Sequence, residues 1–247
     1  MIDIHSHLLP GVDDGSPSID VSVPVLERFG QEGVAIVVCT PHLNASQASS
    51  APHAEYVDIL AELRRAAPSV PELRLGWEIM LDSPGVDLTA PTLTLGDSRA
   101  LLVEFTRGGM PRGATAELRR IIRSGRTAIL AHPERYFGCT LELVREWRAI
   151  GVVIQTDASM LNARGVPGEI ARAMLGGGLI DILASDNHGD QRSLAAVRDW
   201  LLERGGQTQV DLLTNTNAML VLNDEDPLPV PPLKPGLVDR FKRLFGG

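Results

Sequence analysis

Seven short apolar runs, each separated from the next by a segment of helical or turn character, constrain this chain more than any other feature of its sequence. They fall at 2–5, 34–40, 73–78, 100–104, 127–131, 152–156 and 181–184. Most are continuous β-branched or aliphatic stretches, not alternating ones, which is the pattern of parallel strands covered on both faces. Between them, 18–32 repeats apolar residues at helical spacing and stops at Gly33. The stretch 111–124 opens on Pro111 and closes at Gly125, and 140–150 closes at Gly151; 167–176 and 191–204 complete the set. Strand and helix in alternation predict a parallel α/β fold, a (β/α) barrel in its closed form and a doubly wound sheet in its open one. The 247 residues suit one barrel of about 250 or two small domains.

Charge and composition remove several classes of function. With 23 basic and 31 acidic residues the net charge is −8, so binding to nucleic-acid phosphates is not expected. Two cysteines, Cys39 and Cys139, cannot build a disulfide framework. No apolar run approaches the roughly 18 residues of a membrane span. The first residues, MIDIH, lack the basic start and apolar core of a signal peptide. A cytoplasmic protein without a membrane span is the expectation. After Asn223 the character changes: 226–236 reads DPLPVPPLKPG, an extended linker, and 237–245 is a short amphipathic helix. The chain is therefore expected to divide into a domain at 1–223 and a tail at 224–247. The tail is expected to dock on its own domain or a neighbouring subunit, with a partner or membrane surface as the alternative and the oligomeric state left open.

The ligand-type residues are not scattered. Of six histidines, His5, His7, His42, His132 and His188 lie at or just beyond the C-terminal end of a candidate strand; only His53 does not. Glu78 and Glu104 close two further strands, and Asp186 follows the strand ending at Ala184. In a βα barrel that rim is where active sites are built. One histidine there would read as a capped or core residue. Five with three carboxylates do not, because ionisable groups are costly to bury unpaired. In His5-Ser6-His7, alternation with period two puts both imidazoles on the same side of an extended strand. Mixed imidazole and carboxylate ligands suit Mn, Zn or Fe, whereas Mg prefers an all-oxygen set. So many donors exceed what one ion uses, and two or three divalent ions bridged by a carboxylate are expected. Such a cluster generates hydroxide near neutral pH and clamps the oxygens of a phosphate.

The segments MIDIHSHLLPGVDDG, TPH at 40–42, GWE at 76–78, LVEF at 102–105, AHPERY at 131–136 and ASDNH at 184–188 resemble the polymerase and histidinol phosphatase (PHP) superfamily. More narrowly they resemble its bacterial protein-tyrosine phosphatases, which act on kinases of capsule and exopolysaccharide synthesis. The resemblance spans 1–223 with the motifs in order. It implies a distorted seven-stranded (β/α) TIM-like barrel and a trinuclear site. His5, His7, Glu78 and Asp186 would hold one ion; Glu78 would bridge to a second, held also by Glu104 and His132. Asp14, His42 and His188 would hold the third, with Asp13 the alternative to Asp14. Arg135 matches the family's substrate-phosphate arginine; Arg192 is either a second one or a solvated helix start. The implied activity is metal-dependent hydrolysis of phosphotyrosine by a metal-bound hydroxide, with Mn favoured over Fe, Zn or Mg and a bacterial tyrosine kinase as protein partner. The same metal residues would serve a small-molecule phosphatase, such as one for histidinol phosphate, or a nuclease-like phosphoesterase. A non-catalytic binding module is disfavoured because no ligand residue is missing.

One competing motif is set aside. Cys139 and Arg145 fit C-x5-R, the spacing of cysteine-dependent tyrosine phosphatases, but with 21 arginines that spacing arises readily by chance. Residues 140–144 are apolar and helix-like, with Thr140 as N-cap, where a phosphate-cradling loop would be needed. Trp77 is expected to pack behind the site and Tyr136 to be structural. The stretch 107–113, RGGMPRG, reads as a mobile rim loop.

Overall fold

The computed structural model describes residues 1–106 and 109–233. Arg107 of the rim loop and the amphipathic segment 237–245 lie outside the described residues. Among the described residues there are nine strands: β1 Ile2–Ser6, β2 Ile36–Cys39, β3 His42–Asn44, β4 Glu72–Leu75, β5 Glu78–Met80, β6 Ala100–Glu104, β7 Thr127–Ala131, β8 Val153–Asp157 and β9 Ile182–Ala184. Every pairing between them is parallel. They form two sheets, β1-β2-β4 and β3-β5-β6-β7-β8-β9.

Nine strands in two sheets differ from the seven expected because two apolar runs are broken. Pro41 has no N–H for the ladder, so the strand begun at 36 ends at Cys39 and a new one starts at His42. The second break falls at Gly76, where an added Cβ would meet Leu95 Cδ2 at 2.5 Å; the backbone passes too close to Leu95 for a side chain. Gly76 N–H donates to Cys39 O at 2.9 Å and Glu78 N–H to Pro41 O at 3.1 Å, so the two breaks are stitched to each other. His42 and Glu78 thus open strands where the sequence reading has them at strand ends.

The helices are α1 Ile19–Gln31, α2 His53–Ala66, α3 Ala114–Arg123, α4 Leu141–Ala149, α5 Val166–Gly176, α6 Leu194–Leu202, α7 Gln207–Asp211 and α8 Asn217–Leu222. Five match expected segments, and Thr140 caps α4 by accepting from Leu143 N–H at 3.3 Å. The helix α2 is unannounced because it buries only Leu60 and Leu63, too thin a stripe for a clear period. Alternation along the strands feeds two apolar clusters. Leu102 and Ile129 meet Ile2, Ile4, Ile36 and Ile182 on one face. Leu101, Val103 and Leu130 meet Leu118 of α3 and Trp147 of α4 on the other. Strands buried on both faces require the continuous apolar runs seen in the sequence.

Between β1 and β9 the ladder is incomplete, and one side chain and two backbone bonds beyond it close the gap. Asp3 Oδ1 accepts from Ser185 N–H at 3.0 Å. Above it Asp186 N–H reaches His5 O at 3.0 Å and His7 N–H reaches Asn187 O at 2.8 Å. The proline-rich segment is extended, but it does not stand apart as far as it is described. Val230 is buried in the main core, Gln209 donates to Pro231 O and Leu233 N–H to Leu175 O.

Candidate metal centre

The ends of the strands deliver the ligand-type side chains to one place. The loop after His7 folds back so closely that a Cβ on Gly15 would meet His7 O at 2.2 Å, which is why the VDDG segment ends in glycine. Two non-glycine residues of the cluster sit in left-handed backbone, His132 at φ 33° and Asp186 at φ 49°. Such conformations persist only where surrounding contacts impose them. For His132 the constraint is visible: Tyr136 Oη accepts from Phe105 N–H at 3.1 Å and donates to Ala131 O at 2.8 Å, pinning the turn Pro133–Arg135.

At the centre, His5 Nε2 lies 3.3 Å from His7 Nε2, 3.3 Å from Glu78 Oε2 and 3.3 Å from Asp186 Oδ1. His7 Nε2 is 3.2 Å from the same glutamate oxygen and 3.3 Å from the same aspartate oxygen. Four donors around a tetrahedral ion with bonds of about 2.0–2.1 Å stand roughly 3.3 Å apart. On one side Glu78 Oε1 is 2.7 Å from His132 Nε2, with Glu104 Oε2 at 3.9 Å from that nitrogen. On the other, His42 Nδ1 faces Glu78 Oε2 at 3.1 Å and Glu104 Oε1 at 3.5 Å. Its Nε2 faces Asp14 Oδ1 at 3.3 Å, and His188 Nε2 is 3.6 Å from that oxygen.

The hydrogen bonds behind the rings test whether a cation fits. His5 Nδ1 meets Gln155 Oε1 at 3.1 Å and His7 Nδ1 meets Asp13 Oδ2 at 2.7 Å. Both partners are acceptors, so both rings carry the proton on Nδ1 and turn bare Nε2 lone pairs toward each other. Two lone pairs and two carboxylate oxygens at this spacing repel unless a positive charge lies among them. Glu104 Oε1 and His42 Nδ1 are buried without a hydrogen-bond partner, which points the same way. The residues fit a divalent-ion cluster.

The electrostatics agree. Burial would lower the pKa of His5, but Glu78 and Asp186 overcome it and raise it. His42 is pushed up to about 10 against burial by Glu104 and Glu78. Glu78 itself stays well below the usual carboxylate range despite burial, held there by His5, His132 and His42. The carboxylates create a place for positive charge.

All nine residues proposed as ligands on motif resemblance fall in this cluster: His5, His7, Asp14, His42, Glu78, Glu104, His132, Asp186 and His188. They do not separate into three isolated triads. His42 spans two groups, one with Glu78 and Glu104 and one with His7, Asp14 and His188. The adjacent aspartates diverge: Asp14 faces His42 and His188, while Asp13 sits behind His7 and accepts from Gly15 N–H and His42 N–H. Arg135 Nη2 bridges Asp157 and Asp186 Oδ2, the latter at 2.6 Å. Arg192 Nη1 approaches the same Asp186 oxygen at 3.3 Å and is held by Asp190 at 2.8 Å. Sequence reasoning did not single out Gln155, which looks like an ordinary polar residue in a strand; a pairing of Arg135 with Glu134 or Asp157 was its alternative for that arginine, and Asp157 is the partner found. Trp77 is fully buried with Nε1–H donated to Thr92 O, behind the cluster. Cys139 is buried and its thiol is pushed up to about 12 by burial.

The architecture and the cluster together define a parallel α/β protein whose strand ends carry a buried, polynuclear-type nest of imidazoles and carboxylates. Residues 1–223 match the family described as capsular polysaccharide synthesis, CpsB/CapC, and the chain belongs to that family. It is 26% identical to the tyrosine-protein phosphatase YwqE of Bacillus subtilis, over 100% of this chain and 99% of that one. It is 30% identical to the tyrosine-protein phosphatase CpsB of Streptococcus pneumoniae, over 76% of this chain and 83% of that one. A solved structure from work on YwqE and CpsB, described as unique metal-dependent tyrosine phosphatases, superposes with a TM-score of 0.76 at 24% identity, covering 95% of this chain and 100% of the other. That likeness establishes the shared fold. Among the described residues no helix is long and apolar enough to cross a membrane.

Proposed function

We propose that this chain is a metal-dependent phosphotyrosine-protein phosphatase. The observation that carries the reading is the nest of His5 Nε2, His7 Nε2, Glu78 Oε2 and Asp186 Oδ1, five of whose mutual distances are 3.2–3.3 Å. Glu78 would be shared with a second position formed with Glu104 and His132. Asp14, His42 and His188 would form a third, two or three divalent ions in all. Bound there, the ions would supply a nucleophile from water at neutral pH and offset charge on the phosphoryl oxygens. Mixed nitrogen and oxygen donors favour Mn, with Fe, Zn or Mg as alternatives.

The chain's own residues do the rest. Arg135 spends only Nη2 on protein carboxylates, so N–H groups of Nη1 and Nε remain to donate singly to a phosphoryl group beside Asp186. Arg192, tethered by Asp190, can reach the same region. A phenolate is a good leaving group, so no strongly acidic side chain is demanded at the departing oxygen. The two sheets are best read as arcs of one distorted seven-stave (β/α) barrel: β2 leads into β3, β4 into β5, and Ser6 bridges Asn187. The substrate would be a tyrosine kinase of polysaccharide synthesis, in the cytoplasm, where two buried free thiols are stable.

Metal analysis of the purified chain, joined to turnover of a phosphotyrosyl peptide and of histidinol phosphate, tests the reading. Bound Mn, loss of activity on chelation and preference for the peptide are expected. Full activity in metal-free protein would refute metal dependence, and preference for histidinol phosphate would refute the substrate class.

A further inference from the structure

We propose that Gln155 and Asp13 are positioning residues, which fix the ring orientation and tautomer of His5 and His7 and thereby set the affinity of the ion position those histidines share. The inference rests on the reading that this cluster holds divalent ions. Gln155 lies on β8, across the fold from β1, and is fully buried. Its Oε1 is 3.1 Å from His5 Nδ1, yet its own Nε2 is buried with no hydrogen-bond partner. Burying an amide N–H without an acceptor is costly, and leucine or methionine would fill the strand position without that penalty. What a glutamine offers that they do not is the acceptor on His5. Turned the other way, the amide would donate to Nδ1 and drive the ring proton to Nε2, aimed at His7 Nε2 only 3.3 Å away. The Oε1-inward orientation is the one compatible with a bare Nε2.

The two histidines are backed differently. His7 Nδ1 donates to a carboxylate, Asp13 Oδ2 at 2.7 Å; His5 Nδ1 donates to a neutral amide; His188 Nδ1 donates to a backbone carbonyl, Asp186 O, at 2.9 Å. A carboxylate behind an imidazole raises its basicity toward the ion, and a neutral amide orients it with less added charge. The cluster already gathers Asp14, Glu78, Glu104 and Asp186, so a neutral residue behind His5 limits the negative charge accumulated there. His5 therefore supplies direction and His7 supplies the stronger donor.

The test compares the full-length chain with Gln155→Leu, Gln155→Glu and Asp13→Asn. Mn²⁺ and Zn²⁺ binding is measured by competition with a chromophoric chelator, alongside the thermal midpoint of stripped protein. Removing the acceptor behind a ligating histidine weakens metal binding by about 10–100-fold. That loss is expected for Gln155→Leu at the tightest position, with the stripped protein no less stable than wild type. Gln155→Glu should bind at least as tightly as wild type, and Asp13→Asn more weakly. In the Zn²⁺-loaded chain, the slowly exchanging His5 Nδ1–H resonance should vanish in Gln155→Leu alone. If wild-type protein binds neither ion, the metal-centre reading itself fails. If it binds tightly and Gln155→Leu matches it, the positioning role is refuted. A variant whose only change is a lower midpoint of the stripped protein would show a purely structural Gln155 and refute it equally.

Discussion

Replacing Arg135 by alanine removes two things at once, and the structure allows them to be separated. The guanidinium Nη2 lies between Asp157 and Asp186, which are 0% and 2% exposed, while Arg135 itself is 22% exposed. Breaking a fully buried ion pair by removing one partner costs about 3–5 kcal/mol. Because the arginine is partly solvated, and a cation beside Asp186 would offset part of the loss, roughly the lower end of that range is expected. The second loss, on the proposed phosphate role of Arg135, is of N–H donors to the transferring phosphoryl group, a contact typically worth about 2.7–4 kcal/mol, or a hundred- to thousandfold in kcat. Arg135→Lys is the informative companion. It restores positive charge between the two aspartates but has no second nitrogen left to donate to the phosphoryl group. The lysine variant should therefore recover most of the thermal midpoint and metal content while staying well below wild-type kcat on an aryl phosphate. Alanine should lose both. Turnover per metal-loaded molecule that survives Arg135→Ala would refute the phosphate contact and leave Arg135 as an anchor for Asp186. Full kcat in the lysine variant would refute the need for donors on more than one nitrogen.

Three further outcomes follow from features away from that arginine. Cys139→Ser should leave kcat within about twofold, since a thiol pushed up to about 12 by burial cannot serve as a thiolate at neutral pH; a dead but folded, metal-loaded variant would overturn this. Ending the chain after Leu233 keeps every contact described for the strap 226–233. Ending it before Asp226 removes buried Val230 and the contacts of Asn217 with Leu228. Burying such a side chain contributes about 1.5–3 kcal/mol, a midpoint drop of roughly 2–4 °C for each kcal/mol in a domain this size; equal midpoints for the two truncations would contradict the docking. Glu134 is raised from 4.5 to about 8 by burial and by the charge of Asp157. The fold holds a proton there that the unfolded chain has released, so this group's contribution to stability falls as pH rises from about 4.5 to 8. Glu134→Gln should flatten that decline in denaturant midpoints, and an unchanged slope would disprove the assignment.

Much of this arrangement was legible because it follows from a few strong rules. Continuous apolar runs specify strands covered on both faces, and side chains at the ends of parallel strands converge, so eight separated residues could be expected in one place; Asp14 joined them only through the motif resemblance. Chain breaks were not legible. Pro41 and Gly76 interrupt two runs for reasons of backbone chemistry and close approach to Leu95, and periodicity does not register either. The choice between Asp13 and Asp14 turns on a loop conformation that two adjacent identical residues cannot reveal. Gln155 was invisible for a different reason. Its importance lies in an acceptor placed opposite a histidine 150 positions away, a pairing that only the tertiary fold creates. Arg135 could be recognised by its motif and Asp157 named among its possible partners, but its second contact, with Asp186, could not be foreseen.

The strap formed by 226–233 fixes where the rest of the polypeptide leaves. Leu233 is bonded to Leu175 at the end of α5, and Gly178 is so closely overlaid by Val230 O that an added Cβ would stand 2.6 Å from it. These contacts lie where β9 begins, on the pole opposite the histidines. The last described residue, Leu233, therefore stands at the back of the molecule. A chain held there by a surface, a fusion or another protein would keep its mouth turned toward the surrounding solution, so tethering and turnover need not compete for the same ground.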